Sequence, residues 1–460
     1  MNQEISLKVK PQYDPSFYPA ILYNRAFLKA VEQSGQGVPA AVAIERNDGL
    51  VSVYRTKVFA ENSEKFDQNF FYIERLAKAL LWVRGGFKII FGGPRSIGEY
   101  LKKAYTKGGL RAFDAEFMAR VYEQPFEVII TDYDHVPEEK EETRPAGRHL
   151  DGCRIGFDAG GSDRKVSAVI DGKVVYSEEI VWHPKINSDP DYHFDGIVTA
   201  LKTAASHMPR VDAIGVSSAG VYVNNRAMIA SLFLKVPQEL FDKKVKDIYI
   251  RAAREIGDVP LVVANDGDVT ALAGAIDLED GNVLGIAMGT SEAGGYVDKQ
   301  GNITGWLNEL AFVPADYHQG AMVDEWSGDF GCGVKYFSQD AVIKLAPKAG
   351  IKLDENLSPA EKLKVVQTLH EEGDERADGI FQSIGCYLGY TLAFYAEFYD
   401  IKHVLILGRV TSGKGGAIIL DTANKVLKEE FPELEKKMKL ELPDESDRRV
   451  GQSIAAASLA

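Results

Sequence analysis

Two short stretches bring together the residue types that handle phosphate. The first is Asp158-Ala159-Gly160-Gly161-Ser162, at the end of the apolar run Ile155–Asp158. The second lies about 130 residues later, as Gly289-Thr290-Ser291 and Ala293-Gly294-Gly295 after the apolar run Val283–Met288. A glycine turn at the end of a strand lets backbone N–H groups approach an anion, and a neighbouring hydroxyl adds a donor. A carboxylate such as Asp158 cannot hold a phosphate, but it can order a metal ion or its waters. Each stretch alone also reads as an ordinary hairpin turn. A third group is Asn265-Asp266, between the apolar run Leu261–Ala264 and a helical stretch from Val269. A carboxylate placed there can take the proton of a substrate hydroxyl as that hydroxyl attacks a phosphoryl group. The same pair also reads as a helix cap.

The elements that must carry these groups can be read from spacing. Lys165–Ile170 and Lys173–Ser177 are strands joined at Asp171-Gly172, a turn in which both central residues need positive φ. A matching turn, Asp298–Gly301, follows the second stretch and leads to another short strand. The repetition predicts two related halves, with the glycine turns facing one another across a cleft. Val211–Val216 is a strand ending in Ser217-Ser218-Ala219-Gly220. His193–His207, Asp242–Ile256 and Ala377–Tyr399 are helices by their apolar spacing, and Ser358-Pro359-Ala360-Glu361 opens another with a capping box. His403–Leu407 is a strand, Gly413–Gly416 a glycine turn, and Ala417–Glu429 the helix after it; Arg448–Ala460 is a terminal helix. Strands alternating with crossover-length helices predict α/β sheets covered on both faces.

Before Cys153 the chain reads as a separate α/β module. Helices are expected at Tyr18–Gln33, Asp67–Val83, Ser96–Tyr105 and Phe113–Tyr122. Strands are expected at Val38–Ile44, Leu50–Phe59, Phe87–Phe91 and Phe126–Thr131, the first two joined at Asn47-Asp48-Gly49. Gly92-Gly93-Pro94 reads as a strand-to-helix turn in preference to a third anion site. Val136–Gly152 is charged and nearly free of apolar residues, so it reads as an exposed linker, with Glu138–Arg144 a solvated charge run.

The 460 residues carry a formal charge of −14, which disfavours a sequence-independent grip on nucleic acid. The N-terminus lacks the pattern of a signal peptide, and no apolar run reaches membrane-span length. Three separated cysteines, Cys153, Cys332 and Cys386, form no CxxC and fit a reduced cytoplasm.

From about Cys153 to the C-terminus the sequence resembles the ROK group of sugar kinases and repressors, within the actin, hexokinase and Hsp70 ATPase superfamily. The resemblance implies two actin-like (ribonuclease H-like) lobes around a nucleotide cleft. These would be residues 151–266 with 447–460, and residues 267–446, after an N-terminal module of residues 1–150. It implies an ATP-dependent kinase acting on a sugar hydroxyl, with Asp266 as base. Asn265, Glu309, Ser218 and Gly220 would contact the substrate. Asp158, Gly160, Gly161 and Ser162 match the family's first phosphate loop, and Gly289, Thr290, Ser291, Gly294 and Gly295 its second. Gly408, Arg409, Gly413, Gly415 and Gly416 correspond to its adenosine loop, with Arg409 where a second glycine is usual. Mg²⁺ would be held by Asp158 through water. The family's Gly-Glu-x-Gly-His signature is here Asn308-Glu309-Leu310-Ala311-Phe312, so the histidine is replaced by Phe312. Val334 stands where an acidic sugar contact is expected. Cys332 lacks the companion cysteines of the family's zinc loop, so no structural zinc is expected. Expected partners are ATP and a small-molecule substrate, without nucleic acid or membrane, and a homodimer is compatible. The alternatives are a non-catalytic sugar sensor or regulator on the same scaffold, and a kinase for a non-sugar metabolite.

Overall fold

A computed structural model describes residues 5–142, 146–443, 451–452 and 454–460. The chain divides into two compact units that do not follow sequence order. One comprises Met1–Glu142, Ile286–Gly294 and Trp306–Leu442. The other comprises Thr143–Gly285, Gly295–Gly305 and Pro443–Ala460.

The first unit opens with four strands, β1 (Gly37–Glu45), β2 (Val51–Phe59), β3 (Lys88–Gly92) and β4 (Glu127–Thr131), in the order β2-β1-β3-β4. The β1–β2 turn uses Asp48 and Gly49 at φ 63° and 65°, as the Asn-Asp-Gly signal requires. Helices Ala20–Gln33, Gln68–Arg84, Arg95–Ala104 and Ala112–Tyr122 lie within a residue or two of their expected positions. Gly92-Gly93-Pro94 is the strand-to-helix turn expected of it.

The second unit is built on a five-stranded sheet. Its strands are β5 (Cys153–Ala159), β6 (Asp163–Ile170), β7 (Lys173–Val181), β8 (Ala213–Ser218) and β11 (Leu261–Asn265), in the order β11-β8-β5-β6-β7. The hairpins β5–β6 and β6–β7 are antiparallel, while β8 and β11 add in parallel. This is the ribonuclease H-like order. Asp171 and Gly172 take φ 47° and 76° at the β6–β7 turn. Apolar residues of the sheet, including Ile155, Phe157, Val166 and Ile214, form one core with Ile197, Leu201, Ile248 and Tyr249 of the covering helices. The short pair β9 (Val221–Val223) and β10 (Arg226–Ile229) turns at Asn224-Asn225, with φ 52° and 65°. Residues 454–457 are helical, and a methyl group at Gly215 of β8 would sit 1.7 Å from the Ala456 carbonyl.

A third sheet, β12 (Val283–Met288), β13 (Glu292–Val297), β14 (His403–Leu407) and β15 (Lys439–Glu441), has the order β13-β12-β14-β15. It repeats the order β6-β5-β8-β11, so the predicted duplication is present in the strand order.

Three sequence readings are corrected. The strand expected after Asp298–Gly301 shrinks to a single bridge between Val297 and Ile303. The Asp298 carboxylate accepts the N–H groups of Gln300 and Asn302, both at 2.8 Å, and keeps the chain wound there. The helix expected over Asp242–Ile256 breaks into a π-turn, Phe241–Val245, and a helix, Ile248–Arg254. The Lys246 carbonyl turns out to accept the N–H of Ala227 at 2.9 Å. The charged stretch after Val136 is only partly solvated. Lys140 exchanges backbone hydrogen bonds with Val51, and Glu141 pairs with buried Arg46 and Ser52. Thr143, Arg144 and Pro145 lie outside the described residues.

Candidate functional site

In the second unit the chemistry collects at the carboxyl ends of three parallel strands. Asp158 of β5 is in register with Ser217 of β8, and Ser217 with Ala264 of β11; the next row is Ala159, Ser218 and Asn265. Outside the carboxyl ends of parallel strands is where α/β sheets bind ligands. Ser217 Oγ donates to Asp158 Oδ1 at 2.8 Å. Burial raises the Asp158 carboxyl above the usual carboxylate range, with the Ser217 hydrogen bond and Lys165 pulling the other way.

Asp266 is the first residue of the helix Asp266–Asp277. Asn265 caps that helix: its Oδ1 accepts the Gly267 N–H at 2.7 Å, and its Nδ2 donates to the Gly220 carbonyl at 2.8 Å. Capping belongs to Asn265 and leaves the Asp266 carboxyl half-buried, touched by the Gly267 N–H at 3.1 Å. Burial pushes Asp266 up to about 6, and the nearby negative charge of Asp158 adds to the shift. The Gly267 N–H and the positive charge of Lys185 oppose it. A carboxyl of this kind is mostly ionised near neutral pH and more basic than an ordinary aspartate, which suits a general base.

The Gly160-Gly161-Ser162 turn is shaped by the segment after β7. Trp182 Nε1 donates to the Gly160 carbonyl at 2.8 Å, and the Trp182 N–H to the Ser162 carbonyl at 3.1 Å. A methyl group at Gly161 would sit 2.7 Å from Lys185 Cε and 2.9 Å from its Nζ. Ser218 is fully buried, its hydroxyl 2.8 Å from Tyr249 Oη and 2.7 Å from Tyr222 Oη. Its hydrogen-bonding capacity is turned inward to two tyrosines. Gly220 has φ 138°, and a methyl group there would sit 2.5 Å from the Ile229 carbonyl. Gly295 has a packing reason as well: a methyl group would lie 2.1 Å from the Gly267 carbonyl, against the first turn of the Asp266 helix.

In the first unit, Gly289 is half-buried and Thr290 and Ser291 are exposed at the end of β12. The Gly289 N–H donates to the Ser291 carbonyl at 3.0 Å, and the Gly289 carbonyl accepts from Gln339 at 2.9 Å. Gly294 packs on Leu310, whose side chain would be 2.6 Å from a methyl group there. Gly408 ends β14 with φ 104°, and a methyl group would strike the Met288 carbonyl at 2.4 Å. Gly413 caps the helix Lys414–Glu430 with φ 72°. Gly415 and Gly416 are buried against the Phe381 ring and the Thr411 carbonyl. Arg409 is exposed, and its carbonyl accepts from Gln367 Nε2 at 2.7 Å.

The Asn308–Phe312 stretch follows the C-terminal turn of the helix Gln68–Arg84. The N–H groups of Leu307, Asn308 and Glu309 donate to the carbonyls of Arg84, Val83 and Trp82 at 3.2, 3.0 and 3.1 Å. Phe312 packs on Trp82 at 4.3 Å between ring centroids. Glu309 is half-buried. Val334 is half-buried in the short turn Gly333–Lys335. Cys332 is buried, its thiol pushed up to about 11 by burial. Among the described residues no cluster of three or more His, Cys, Asp or Glu is arranged to hold a metal ion.

Sequence reasoning missed three residues here. Ser217 reads from the sequence only as a strand end; a hydroxyl directly opposite Asp158 becomes visible only when β5 and β8 pair. Lys185 was unmarked, because nothing local ties it to a turn some 24 residues earlier. Glu292, within the second glycine stretch, is buried at 3% exposure, and its Oε2 has no hydrogen-bond partner among the described residues. Its position on β13 between small residues carried no signal of burial.

No protein-family model matches the chain, and no curated protein sequence matches it. Solved structures do. A ROK family transcriptional regulator, described as a homolog of E. coli MLC protein, superposes with a TM-score of 0.51 at 18% identity, covering 68% of this chain and 79% of that one. A ROK hexokinase from Thermus thermophilus gives a TM-score of 0.50 at 17% identity, over 66% of this chain and 97% of that one. With the ribonuclease H-like strand order of the second unit, four positions of which recur in the third sheet, these likenesses establish that about two thirds of the chain has the fold of the ROK proteins.

Proposed function

We propose that the protein is an ATP-dependent kinase of the ROK type that phosphorylates a hydroxyl of a sugar or sugar-like compound. The observation that carries this reading is Asp266, a half-buried carboxyl raised to about 6 at the head of a helix whose cap is supplied by its neighbour. A residue needed only as a cap has no reason to be held this way. The acceptor oxygen attacks the γ-phosphorus, the new O–P bond forms as the β,γ-bridging P–O bond breaks, ADP leaves, and Asp266 takes the acceptor's proton. The transition state is loose, so alignment and charge stabilisation supply most of the rate.

In this reading Gly160, Gly161, Ser162, Gly289, Thr290 and Ser291 contribute to binding the ATP phosphates, and the Gly408–Gly416 stretch to binding adenosine. Gly294 and Gly295 act as spacers that let neighbouring backbone come close. Asn265 and Gly220 fix the Asp266 helix against the turn after β8, and Glu309 contacts the acceptor. Mg²⁺ fits at Asp158: one carboxylate oxygen is engaged by Ser217, the other has no protein hydrogen bond among the described residues, and a cation would relieve its repulsion with Asp266. When bound, Mg²⁺ would neutralise phosphate charge.

A second reading, a sugar-responsive regulator without turnover, is favoured by the likeness to the ROK transcriptional regulator. The two separate in one assay. ATP consumption is followed against a panel of hexoses, amino sugars and polyols, with direct binding of each measured in parallel. The kinase reading requires at least one compound that raises ATP consumption. A sugar that binds while no compound raises ATP consumption supports the regulator instead.

A further inference from the structure

The segment after β7 is strapped onto the Gly160-Gly161-Ser162 turn. Trp182 holds it at two points, through Nε1 to the Gly160 carbonyl and through its N–H to the Ser162 carbonyl. The His183 N–H donates to Tyr192 Oη at 3.0 Å. Pro184 opens a short turn, Pro184–Ile186, and its carbonyl lies 3.0 Å from Nε2 of His193, a fully buried residue whose Nδ1 is 2.9 Å from the Asp189 carbonyl. The result is that Lys185 is delivered to one place: its Nζ lies 2.9 Å from where a methyl group at Gly161 would be. Among the described residues Lys185 has no ion pair, although it is exposed and surface lysines are often paired with nearby acids. Its charge also reaches Asp266, where it favours the ionised carboxylate. One ammonium group thus sits over the glycine turn and within electrostatic reach of the base.

We propose that Lys185 is a catalytic residue that contacts the transferred phosphoryl group and stabilises the charge developing on it. The inference rests on the kinase reading above. An ammonium is a point charge on a flexible stem and can follow the phosphorus from ATP to the acceptor. Lys185 forms no bond and gives up no proton; the electron pair of the broken P–O bond leaves with ADP. It also keeps the base ionised. The groups facing Asp266 are Asp158 from β5, Tyr222 from β9 and Lys185 from the strap, so Lys185 supplies the positive charge among them.

The test uses the full chain with MgATP, MgADP and the responding sugar, comparing wild type with Lys185→Met and Lys185→Arg. The expected result is a fall in kcat of about 100-fold for Lys185→Met, the scale of losing one transition-state donor. MgADP affinity should stay within about twofold of wild type, and Lys185→Arg should recover part of the rate. The rise of rate with pH should move to higher pH in Lys185→Met and stay in place in Lys185→Arg. The inference is overturned alone if wild type is active and Lys185→Met turns over at the same rate. It is also overturned if ATP and ADP affinities fall together with no rescue by arginine, which would mark a structural role. A wild-type protein that binds no MgATP overturns the kinase reading and this inference with it.

Discussion

Asp266 and Glu292 are both acids raised by burial, and the consequences differ because their surroundings differ. Asp266 has to be ionised to accept a proton, so kcat/KM should rise with pH through about 6 and level off above it. A flat rate between pH 5 and 8 would contradict this. Glu292 is pushed up to about 8 by burial, with the charge of Glu309 adding to the effect and the Tyr395 hydroxyl, 3.3 Å away, opposing it. The unfolded chain releases this proton near the ordinary value of 4.5, and the folded chain holds it to about 8. Between those values the unfolded state binds fewer protons, so the contribution of Glu292 to stability is full below 4.5 and declines as pH rises towards 8. At about 1.4 kcal/mol per pKa unit the decline is on the order of several kcal/mol. Glu292→Gln should flatten that part of the stability–pH curve measured by denaturant titration; an unchanged slope would show that Glu292 ionises normally. Of these two acids only Asp266 was legible in the sequence. It stood at a strand-to-helix junction beside a good capping residue. Glu292 stood among small residues, and what buries it are Gly333 and Tyr395, brought from far along the chain.

At the scale of elements, hairpins were the most legible feature because their turns need residues that tolerate positive φ. Asp48-Gly49 and Asp171-Gly172 were read for that reason. Asn224-Asn225 offered the same chemistry and was overlooked because the strands it joins are only three and four residues long. What local pattern could not show is the buried ionic cluster beneath the Gln68–Arg84 helix. Asp329 accepts two hydrogen bonds from Arg75, at 2.8 and 2.9 Å, and also meets Lys78 at 3.1 Å and Arg111 at 2.9 Å. Glu74 and Asp114 complete the set, and all six side chains are buried. Burial alone would raise Asp329, but the three cations outweigh it and hold the carboxyl far below its ordinary range. Removing one partner from such a set leaves uncompensated buried charge. Asp329→Asn should therefore cost about 3–5 kcal/mol of stability in chemical denaturation. A loss below about 1 kcal/mol would mean that the cations find water or other partners.

For the molecule as a whole, the sequence located nearly every element of the first 142 residues, but their place among the other elements was not legible. These residues group with Trp306–Leu442 in one compact unit. The Tyr18 N–H donates to Asp316 Oδ1 at 3.0 Å, the Tyr317 N–H to the Tyr18 carbonyl at 2.8 Å, and Asp329 is surrounded by Arg75, Lys78 and Arg111. Such pairings depend on residues about 220 to 300 apart, which no local period encodes. A fragment of residues 143–460 would leave Asp329 without its cations and Phe312 without Trp82. It should fail to give a monodisperse, cooperatively unfolding protein, as judged by size-exclusion chromatography and thermal melting. A fragment that melts like the full chain would show the N-terminal residues to be dispensable for folding. The repeated strand order was legible because each half carries its own glycine turn and hairpin.

The most direct measurement is the amount of phosphorylated acceptor formed from MgATP by wild type and by Asp266→Asn, with nucleotide affinity followed in both. The account predicts product from wild type, a loss of about 100-fold or more in the variant, and ATP affinity that is retained. Product formation by Asp266→Asn at the wild-type rate would contradict it, as would a wild-type protein that binds ATP and sugar together and never transfers the phosphoryl group.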